Sequence, residues 1–373
     1  MTRDPAVALH GSYQTDNYGD VLLMTIYARW IRAAWPGVRV IMPSPNLRAI
    51  APAGPDATGF RALSGAAALI YGGGGYFGEP ALRAGRIRPR NLRRHIAPGA
   101  WAALTGRPYM INGVGVHRFV RSVSRFAFGA LFRHARAITV RDQESAEHAH
   151  ELGVPMERLR VTADAALTLT SADIPAEAVA GARKLLTGLP GGRRIAVHLA
   201  RSSRRFPGVA SVVEGLARFA AGAPDATFLL VADGSVGQRD TTQTRASAEL
   251  QERLGPRAVT VPYTDIWSLT AQLGAADLVV TTKLHVGIVA AALGTSVLSF
   301  PFHSKVPRLY RQIEAPDRCV PLDLVTPERV EERLESVADA GFPRFEIPAA
   351  VRQAANDNRQ ELAKFLAAVQ GAA

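Results

Sequence analysis

The stretch TTKLHVGIVAAALGTSVLSFPFHSKVPR, residues 281–308, carries the clearest strand–helix–strand signal of the 373-residue chain. It follows the apolar run 278–280, which indicates a buried strand. Two threonines then open a helix predicted over Leu284–Leu293, because threonine is a good N-cap. Gly294 is typical of a helix end, and the apolar residues 296–300 predict the next strand. The pattern favours an open α/β sheet.

Lys283 and His285 fall where this strand ends and the helix begins, which is where open α/β sheets bind ligands. The N–H groups and positive potential of a helix start suit an anion. Lysine is rare in the chain, since only Lys184, Lys283, Lys305 and Lys364 occur among 44 basic residues. An ammonium suits a phosphate or a proton-transfer role. We therefore predict an anion site here, with solvated helix caps as the alternative.

Composition limits the class of protein. Hydrophobic residues make up 47% and charged residues 20%, as in globular proteins. No apolar run reaches the roughly 18–20 residues of a membrane span, and the N-terminus lacks an apolar signal core. We expect a cytoplasmic protein. The single Cys319 excludes an intrachain disulfide and a multi-cysteine zinc site.

The formal net charge of +12 calls for an anionic partner or for a general arginine bias in composition. Segment 83–95 is densest in arginine, but it lacks the interleaved aromatic residues of a nucleic-acid site. We expect no nucleic-acid partner. The segment is either a solvated loop or a basic loop that faces an anionic acceptor or lipid headgroups, at the inner face of the membrane.

Polar and glycine-rich segments follow the strands of the N-terminal half. A strand at 7–10 leads into Asn17-Tyr18-Gly19-Asp20, where Asp20 is a candidate N-cap for a helix at 21–34. This loop is equally consistent with substrate binding and with an ordinary capped turn. The run 72–75 consists of four glycines after a strand. It lacks the phosphate-cradling pattern, so we predict a ligand-facing loop, with Tyr76 and Phe77 as a stacking surface.

Arg141 follows a strand at 137–140 and precedes a helix. A guanidinium there can bind a carboxylate or a phosphate, or it can form a structural pair with Asp142 or Glu144. A short strand further on ends near Asp164. No metal constellation is visible in the sequence.

A second series of strands and helices begins after a glycine- and proline-rich segment, which predicts two Rossmann-like domains. We place them at 1–175 on the acceptor side and 190–325 on the donor side, with helices at 326–373 that pack back on the domains. Two such domains facing across a cleft make the α/β architecture called GT-B.

The chain resembles the polysaccharide pyruvyl transferase family over residues 7–322. The residues that carry the resemblance lie after the strands of both halves. They are Tyr18-Gly19-Asp20, Gly72 to Gly75, Gly113-Val114-Gly115, Val140-Arg141-Asp142, Glu144-Ser145, Asp164, Lys283-Leu284-His285, Gly294 and Lys305. One departure matters, because the family usually has Arg-Leu-His where this chain has Lys283-Leu284-His285. An ammonium in place of a guanidinium loses bidentate pairing.

The resemblance implies transfer of a pyruvyl group from phosphoenolpyruvate onto two hydroxyls of a sugar, with phosphate release, in polysaccharide or exopolysaccharide biosynthesis. The co-substrate is phosphoenolpyruvate, with no other cofactor and no metal, and the acceptor is a sugar or a lipid-linked oligosaccharide. The expected roles fall into three groups: His285, Arg141 and Lys305 in catalysis; Lys283, Leu284, Arg141, Ser304 and Lys305 in donor binding; Asn17, Tyr18, Asp20, Gly74, Gly75 and Asp164 in acceptor binding. Two alternatives stay open, a sugar-nucleotide-dependent glycosyltransferase and a non-catalytic anion-binding relative.

Overall fold

A computed structural model describes residues 5–13, 17–44, 46–78, 89–199, 207–234, 242–302 and 305–372. The chain divides into two compact units. Unit 1 comprises Met1–Ala165 with Ala350–Ala373, and unit 2 comprises Ala166–Ala349. The domain limits expected from the sequence, at 1–175, 190–325 and 326–373, stay predictions.

Unit 1 is built on one sheet whose strands pair in parallel. Its strands are β1 (Ala6–His10), β2 (Arg39–Met42), β3 (Ala57–Thr58), β4 (Ala68–Tyr71), β5 (Gly74–Phe77), β6 (Tyr109–Val116), β7 (Ala137–Val140) and β8 (Leu159–Val161). The order is β3-β2-β1-β4-β6-β7-β8, and β5 pairs with β6 beyond the end of β4. Helices cover the faces, so the central strands are buried and mostly apolar.

The helices before the second unit are α1 (Tyr18–Ala34), α2 (Leu47–Ile50), α3 (Pro89–Leu104), α4 (Ser122–His134) and α5 (Gln143–His150). Asp20 was predicted to cap α1, and this is wrong. Asn17 is the N-cap, and its Oδ1 accepts hydrogen bonds from the N–H groups of Gly19 and Asp20. Asp20 lies instead in the first turn, where its negative charge suits the helix dipole.

Unit 2 repeats the parallel α/β arrangement, with strand order β11-β10-β9-β12-β13. Its strands are β9 (Arg193–His198), β10 (Ala226–Val231), β11 (Ala258–Val261), β12 (Leu278–Thr281) and β13 (Ser296–Ser299). Its helices are α6 (Ala176–Thr187), α7 (Pro207–Gly222), α8 (Thr242–Leu254), α9 (Ile266–Ala275), α10 (Leu284–Ala292), α11 (Lys305–Gln312) and α12 (Pro327–Asp339).

The helix predicted within residues 281–308 is confirmed as α10. Gly294 follows it with φ of 78°, a left-handed conformation that favours glycine. This residue ends the helix and lets the chain turn back into β13. The strand–helix–strand unit therefore forms as its sequence predicts.

The last helix, α13 (Ala349–Gln370), belongs to unit 1. Its Asn358 side chain is fully buried, and Oδ1 accepts hydrogen bonds from the hydroxyls of Thr139 and Thr162, both at 2.8 Å. Nδ2 donates to the carbonyl oxygen of Ala163, also at 2.8 Å. This one amide ties the last helix to β7 and to the segment after β8. Across the described residues, no helix is long and apolar enough to cross a membrane.

The glycine run is only in part the loop that the sequence predicts. Gly74 and Gly75 lie in β5, which pairs in parallel with the end of β6. Gly74 has φ of 113°, which lets the chain leave β4 and enter β5 after only two intervening residues. The glycines therefore belong to the sheet at its carboxyl edge.

Candidate functional site

In unit 1, the carboxyl ends of β7 and β8 bring Arg141 and Asp164 together. Because the two strands are parallel neighbours, the residues that follow them meet at one edge of the sheet. Arg141 Nη1 donates to Asp164 Oδ2 at 3.2 Å, and Nε lies 3.6 Å from Asp142 Oδ2. Arg141 is only 5% exposed and Asp164 is also buried. The Arg141–Asp142 pair considered from the sequence is therefore present, together with a second carboxylate.

Glycines in β5 and β6 make room for this guanidinium. A Cβ atom built on Gly115 would lie 2.7 Å from the guanidinium of Arg141. One built on Gly75 would lie 3.2 Å from Arg141 Nη2 and 3.3 Å from His117 Nε2. All three distances are tighter than ordinary carbon contacts. The guanidinium and the His117 imidazole thus approach the sheet where side chains are absent. The sequence analysis did not single out His117.

The start of α1 approaches the same glycine strand. A Cβ atom on Gly74 would lie 3.7 Å from Asp20 Oδ1. Asn17 and Asp20 are partly exposed, whereas Tyr18 is buried. The structure thus places Asp20, Gly74, Gly75, Arg141 and Asp164 at one edge of unit 1, beside residues of the α1 start.

A buried pair of imidazoles lies in the same unit. His10 Nε2 lies 3.0 Å from His95 Nδ1, and the Tyr76 ring stacks on His95 with 4.9 Å between centroids. Burial lowers the pKa of His95 to about 3 and also lowers the pKa of His10. Both rings are therefore neutral near pH 7. The solvated-loop interpretation of segment 83–95 is wrong for His95, while residues 83–88 lie outside the described part of the chain.

In unit 2, three polar side chains meet at the carboxyl ends of β9, β10 and β12. Lys283 Nζ lies 2.9 Å from Asp233 Oδ2, and His198 Nε2 lies 3.6 Å from the same oxygen. Asp233 is 2% exposed and His198 is fully buried. The sequence analysis did not single out Asp233 or His198 as site residues. The available signal was position, because β10 neighbours β9 and β9 neighbours β12, so the carboxyl ends of these three parallel strands lie along one edge of the sheet.

The start of α10 holds the other predicted donor residues of this unit. Lys283 is the N-cap and makes no side-chain cap hydrogen bond, while its own N–H donates to Thr281 Oγ1 at 3.0 Å. His285 lies in the first turn and is half-buried, and Leu284 is buried. Lys305 is the first residue of α11 and is partly exposed. Ser304 lies outside the described residues.

The carboxyl edge of the unit 1 sheet and that of the unit 2 sheet differ in charge. Around Arg141 there are two carboxylates for one guanidinium, whereas Asp233 and Lys283 balance one to one next to a helix N-terminus. Within the described residues, no group of three or more His, Cys, Asp or Glu side chains could hold a metal ion. Each edge thus combines at least one cation and one carboxylate with an imidazole.

Known structures share the fold of this chain at low sequence identity. UDP-GlcNAc 2-epimerase from Neisseria meningitidis, bound to UDP-GlcNAc, has a TM-score of 0.67 and 10% identity, covering 96% of this chain and 100% of that one. UDP-GlcNAc 2-epimerase from Methanocaldococcus jannaschii has a TM-score of 0.66 and 10% identity, covering 98% and 99%. Anabaena Alr3699/HepE in complex with UDP-glucose has a TM-score of 0.59 and 14% identity, covering 98% and 100%.

These likenesses confirm the predicted α/β fold of two Rossmann-like domains of the GT-B type, and at such identities they show the fold alone. No curated protein matches the chain. The model of the family described as polysaccharide pyruvyl transferase matches residues 17–304, more than three quarters of the sequence. The chain therefore belongs to the polysaccharide pyruvyl transferase family.

Proposed function

We propose that the protein transfers the pyruvyl group of phosphoenolpyruvate onto two hydroxyls of one sugar, forming a cyclic ketal and releasing phosphate. The observation that carries this proposal is the start of α10. Its N-cap residue Lys283 makes no side-chain cap, and its ammonium lies at 2.9 Å from the buried carboxylate of Asp233. A fixed ammonium beside a helix N-terminus is suited to a phosphate.

Unit 2 is the donor side in this proposal. An ammonium has three N–H donors, so its bond to Asp233 does not exhaust its capacity to donate. The first-turn N–H groups, including that of Leu284, point along the helix axis toward a bound anion. Lys305, the first residue of α11, and Ser304 are proposed to bind the remaining negative charge of phosphoenolpyruvate.

His285 is the proposed proton shuttle, because histidine is the side chain that most often serves as general acid and base in enzymes. A proton adds to C3 of the enol, and C2 becomes electrophilic. One sugar hydroxyl then forms a bond to C2 and loses its proton. The bond from C2 to the phosphate oxygen breaks as the second hydroxyl attacks C2. One hydroxyl proton replaces the proton given to C3, and the other leaves with phosphate.

Unit 1 is the acceptor side. Carboxylates accept hydrogen bonds from sugar hydroxyls, and Asp20 and Asp164 lie at the glycine strand with Asn17 and Tyr18 at the adjacent helix start. The excess of carboxylate over guanidinium around Arg141 favours a neutral sugar over a highly anionic donor. Arg141 is held by Asp142 and Asp164, which supports a catalytic role at the acceptor more than a role in holding phosphate.

The test is phosphate release from phosphoenolpyruvate across a panel of sugar acceptors, with the ketal identified by mass spectrometry. The variant His285→Ala should lower kcat by roughly 100-fold or more, the usual range for a lost acid–base group. His134→Ala is the matched control, since His134 is an exposed histidine on α4 of unit 1. Absence of phosphate release with every acceptor, or equal loss in both variants, would refute the proposal.

A second candidate is sugar-nucleotide chemistry, which is favoured by the structures that share this fold and hold UDP-sugars. A helix N-terminus with a nearby lysine suits a diphosphate as well as phosphoenolpyruvate. Calorimetric titration with phosphoenolpyruvate and with UDP-sugars separates the two. Saturable binding of a UDP-sugar, with none of phosphoenolpyruvate, would establish the second candidate.

A further inference from the structure

The net positive charge of the chain comes from one segment. Residues 80–141 contain 13 arginines and no aspartate, glutamate or lysine. The other 311 residues hold 31 basic and 32 acidic side chains and therefore sum to −1. A general arginine bias would spread the excess along the chain, so it does not explain the charge. A localised excess points to an anionic partner for this part of unit 1.

Within this segment, residues 118–126 expose large apolar side chains among arginines. Val120 is 73% exposed, Val123 is 69% exposed and Phe126 is 74% exposed. Arg118, Arg121 and Arg125 are exposed between them. We call residues 118–126 the basic–apolar surface. Large apolar side chains that are exposed this close together mark interaction sites more often than isolated ones do.

The basic–apolar surface is held in place by buried neighbours. Phe119 and Phe128 are both buried, and their ring centroids lie 4.6 Å apart. Ser124 is buried between the exposed positions. The exposed side chains therefore project from a fixed helix start, because the residues that alternate with them are anchored in the core of unit 1.

The surface lies next to the candidate site. β6 ends at Val116, and His117 approaches Gly75 beside Arg141. The basic–apolar surface begins with the following residue, so it lies at the same carboxyl edge of the sheet. Leu104 is also exposed, at 88%, but it ends α3 just before β6 begins. Leu104 therefore lies at the opposite edge of the parallel sheet.

We propose that the basic–apolar surface docks unit 1 onto an anionic membrane. Apolar side chains at the end of a helix enter the boundary between headgroups and acyl chains, while neighbouring arginines bind lipid phosphates. A second copy of the chain fits less well, because two such surfaces would repel each other. Docking would present the carboxyl edge of unit 1 to an acceptor that is attached to lipid. The binding itself does not depend on the proposed chemistry.

The experiment is vesicle flotation of the full chain, with phosphatidylcholine alone or mixed with phosphatidylglycerol. We expect binding to the mixed vesicles that weakens as salt is raised. The triple variant Val120→Ser, Val123→Ser and Phe126→Ser should lower the partition coefficient by roughly tenfold or more. Leu104→Ser, the control at the opposite edge, should bind as the unsubstituted chain does. Serine at exposed positions leaves the core intact, and circular dichroism checks this.

Several outcomes would overturn the proposal. These are no binding to the mixed vesicles, equal binding to neutral vesicles, or equal loss in the Leu104→Ser control. A dimer that dissociates in the triple variant, with no vesicle binding, would identify a second copy as the occupant. Phosphate release with a water-soluble acceptor should be unchanged in the triple variant. Failure of the docking proposal is therefore distinguishable from failure of the proposed function.

Discussion

Arg141 in unit 1 and Lys283 in unit 2 occupy corresponding places, since each follows a strand and precedes a helix at the carboxyl edge of its sheet. The helix after Arg141 is capped by Asp142, whose Oδ1 accepts from the N–H of Ser145 at 2.7 Å. The helix after Lys283 has no side-chain cap from its N-cap residue. Arg141 is buried between two carboxylates, whereas the Lys283 side chain is 28% exposed and pairs with one.

In the proposed function, this difference assigns the anionic donor to unit 2 and the sugar to unit 1. A carboxylate already satisfies the start of α5, so that edge is poorly suited to a further anion and better suited to sugar hydroxyls. The start of α10 has an ammonium in the place of a capping carboxylate, which suits an anionic donor. Substitutions in the two units test this contrast.

Asp233→Ala should give the largest change. It leaves the Lys283 ammonium and the buried His198 without their shared carboxylate, which should lower the free energy of unfolding by roughly 3 kcal/mol. Urea unfolding measures this. The control is Asp225→Ala, because Asp225 pairs with Arg193 at 3.1 Å on the exposed surface of the same unit and should cost less than about 1 kcal/mol. Equal losses of unfolding free energy in the two variants would show that the Asp233 carboxylate stabilises unit 2 no more than an exposed ion pair does.

Arg141→Lys should lower kcat/KM by roughly 100-fold, about 2.7 kcal/mol, because a compact ammonium does not reproduce the planar fork of donors with which the guanidinium reaches Asp142 and Asp164. The measurement is steady-state phosphate release with a sugar acceptor. Arg136→Lys, at an exposed arginine of the same unit, should leave the rate unchanged. A variant that keeps full activity would show that the two-carboxylate arrangement in unit 1 is not needed for the reaction.

Acid should destabilise unit 1 through its imidazole pair. The folded state holds the pKa of His95 at about 3 against an ordinary value of 6.5, so protons bind more readily to the unfolded chain. The contribution of the neutral His95 to the free energy of unfolding is complete above pH 6.5 and is lost as pH falls toward 3. At pH 5 the loss should be about 2 kcal/mol from His95 alone.

Urea unfolding at about pH 7 and pH 5 tests this prediction. His95→Gln should reduce the pH dependence, whereas the exposed His134→Ala variant should retain it. If the unsubstituted chain unfolds at the same urea concentration at both values, the neutral imidazole pair is not present in solution.

Lys283→Arg should give the smallest change, less than about tenfold in kcat/KM. A guanidinium restores the residue that is usual in the family and can still pair with Asp233. Lys184→Arg, at an exposed lysine of α6, is the control. A loss above about 100-fold would mean that the ammonium itself is required, which would sharpen the contrast between the two edges.

Local patterns predict the elements that position the site better than they predict the contacts within it. The limits of α10 and the stop at Gly294 follow from apolar spacing and backbone conformation, both of which are local properties. Asp233 gives no comparable signal, because its partner lies 50 residues further along the chain. Only the pairing of β10, β9 and β12 brings the two side chains to one edge.

The glycine run also shows that a local pattern does not identify the contacts of its residues. Four glycines after a strand indicate a close approach of some group, but the pattern does not say which one. The structure identifies Arg141 and His117 as the groups that approach Gly75. The N-cap of α1 was misassigned for a related reason, since Asn17 and Asp20 are both good caps and the backbone geometry decides between them.

By itself, the sequence determined the parallel α/β class, the family, most helix and strand limits, and the arginine excess of residues 80–141, because periodicity, motif order and charge are properties of the chain alone. The tertiary structure decided which side chains neutralise Arg141 and Lys283, which imidazoles stay uncharged and which apolar residues remain exposed. Those outcomes depend on which strand ends become neighbours and on how deeply each group is removed from water, and both are set by contacts between residues far apart in the sequence.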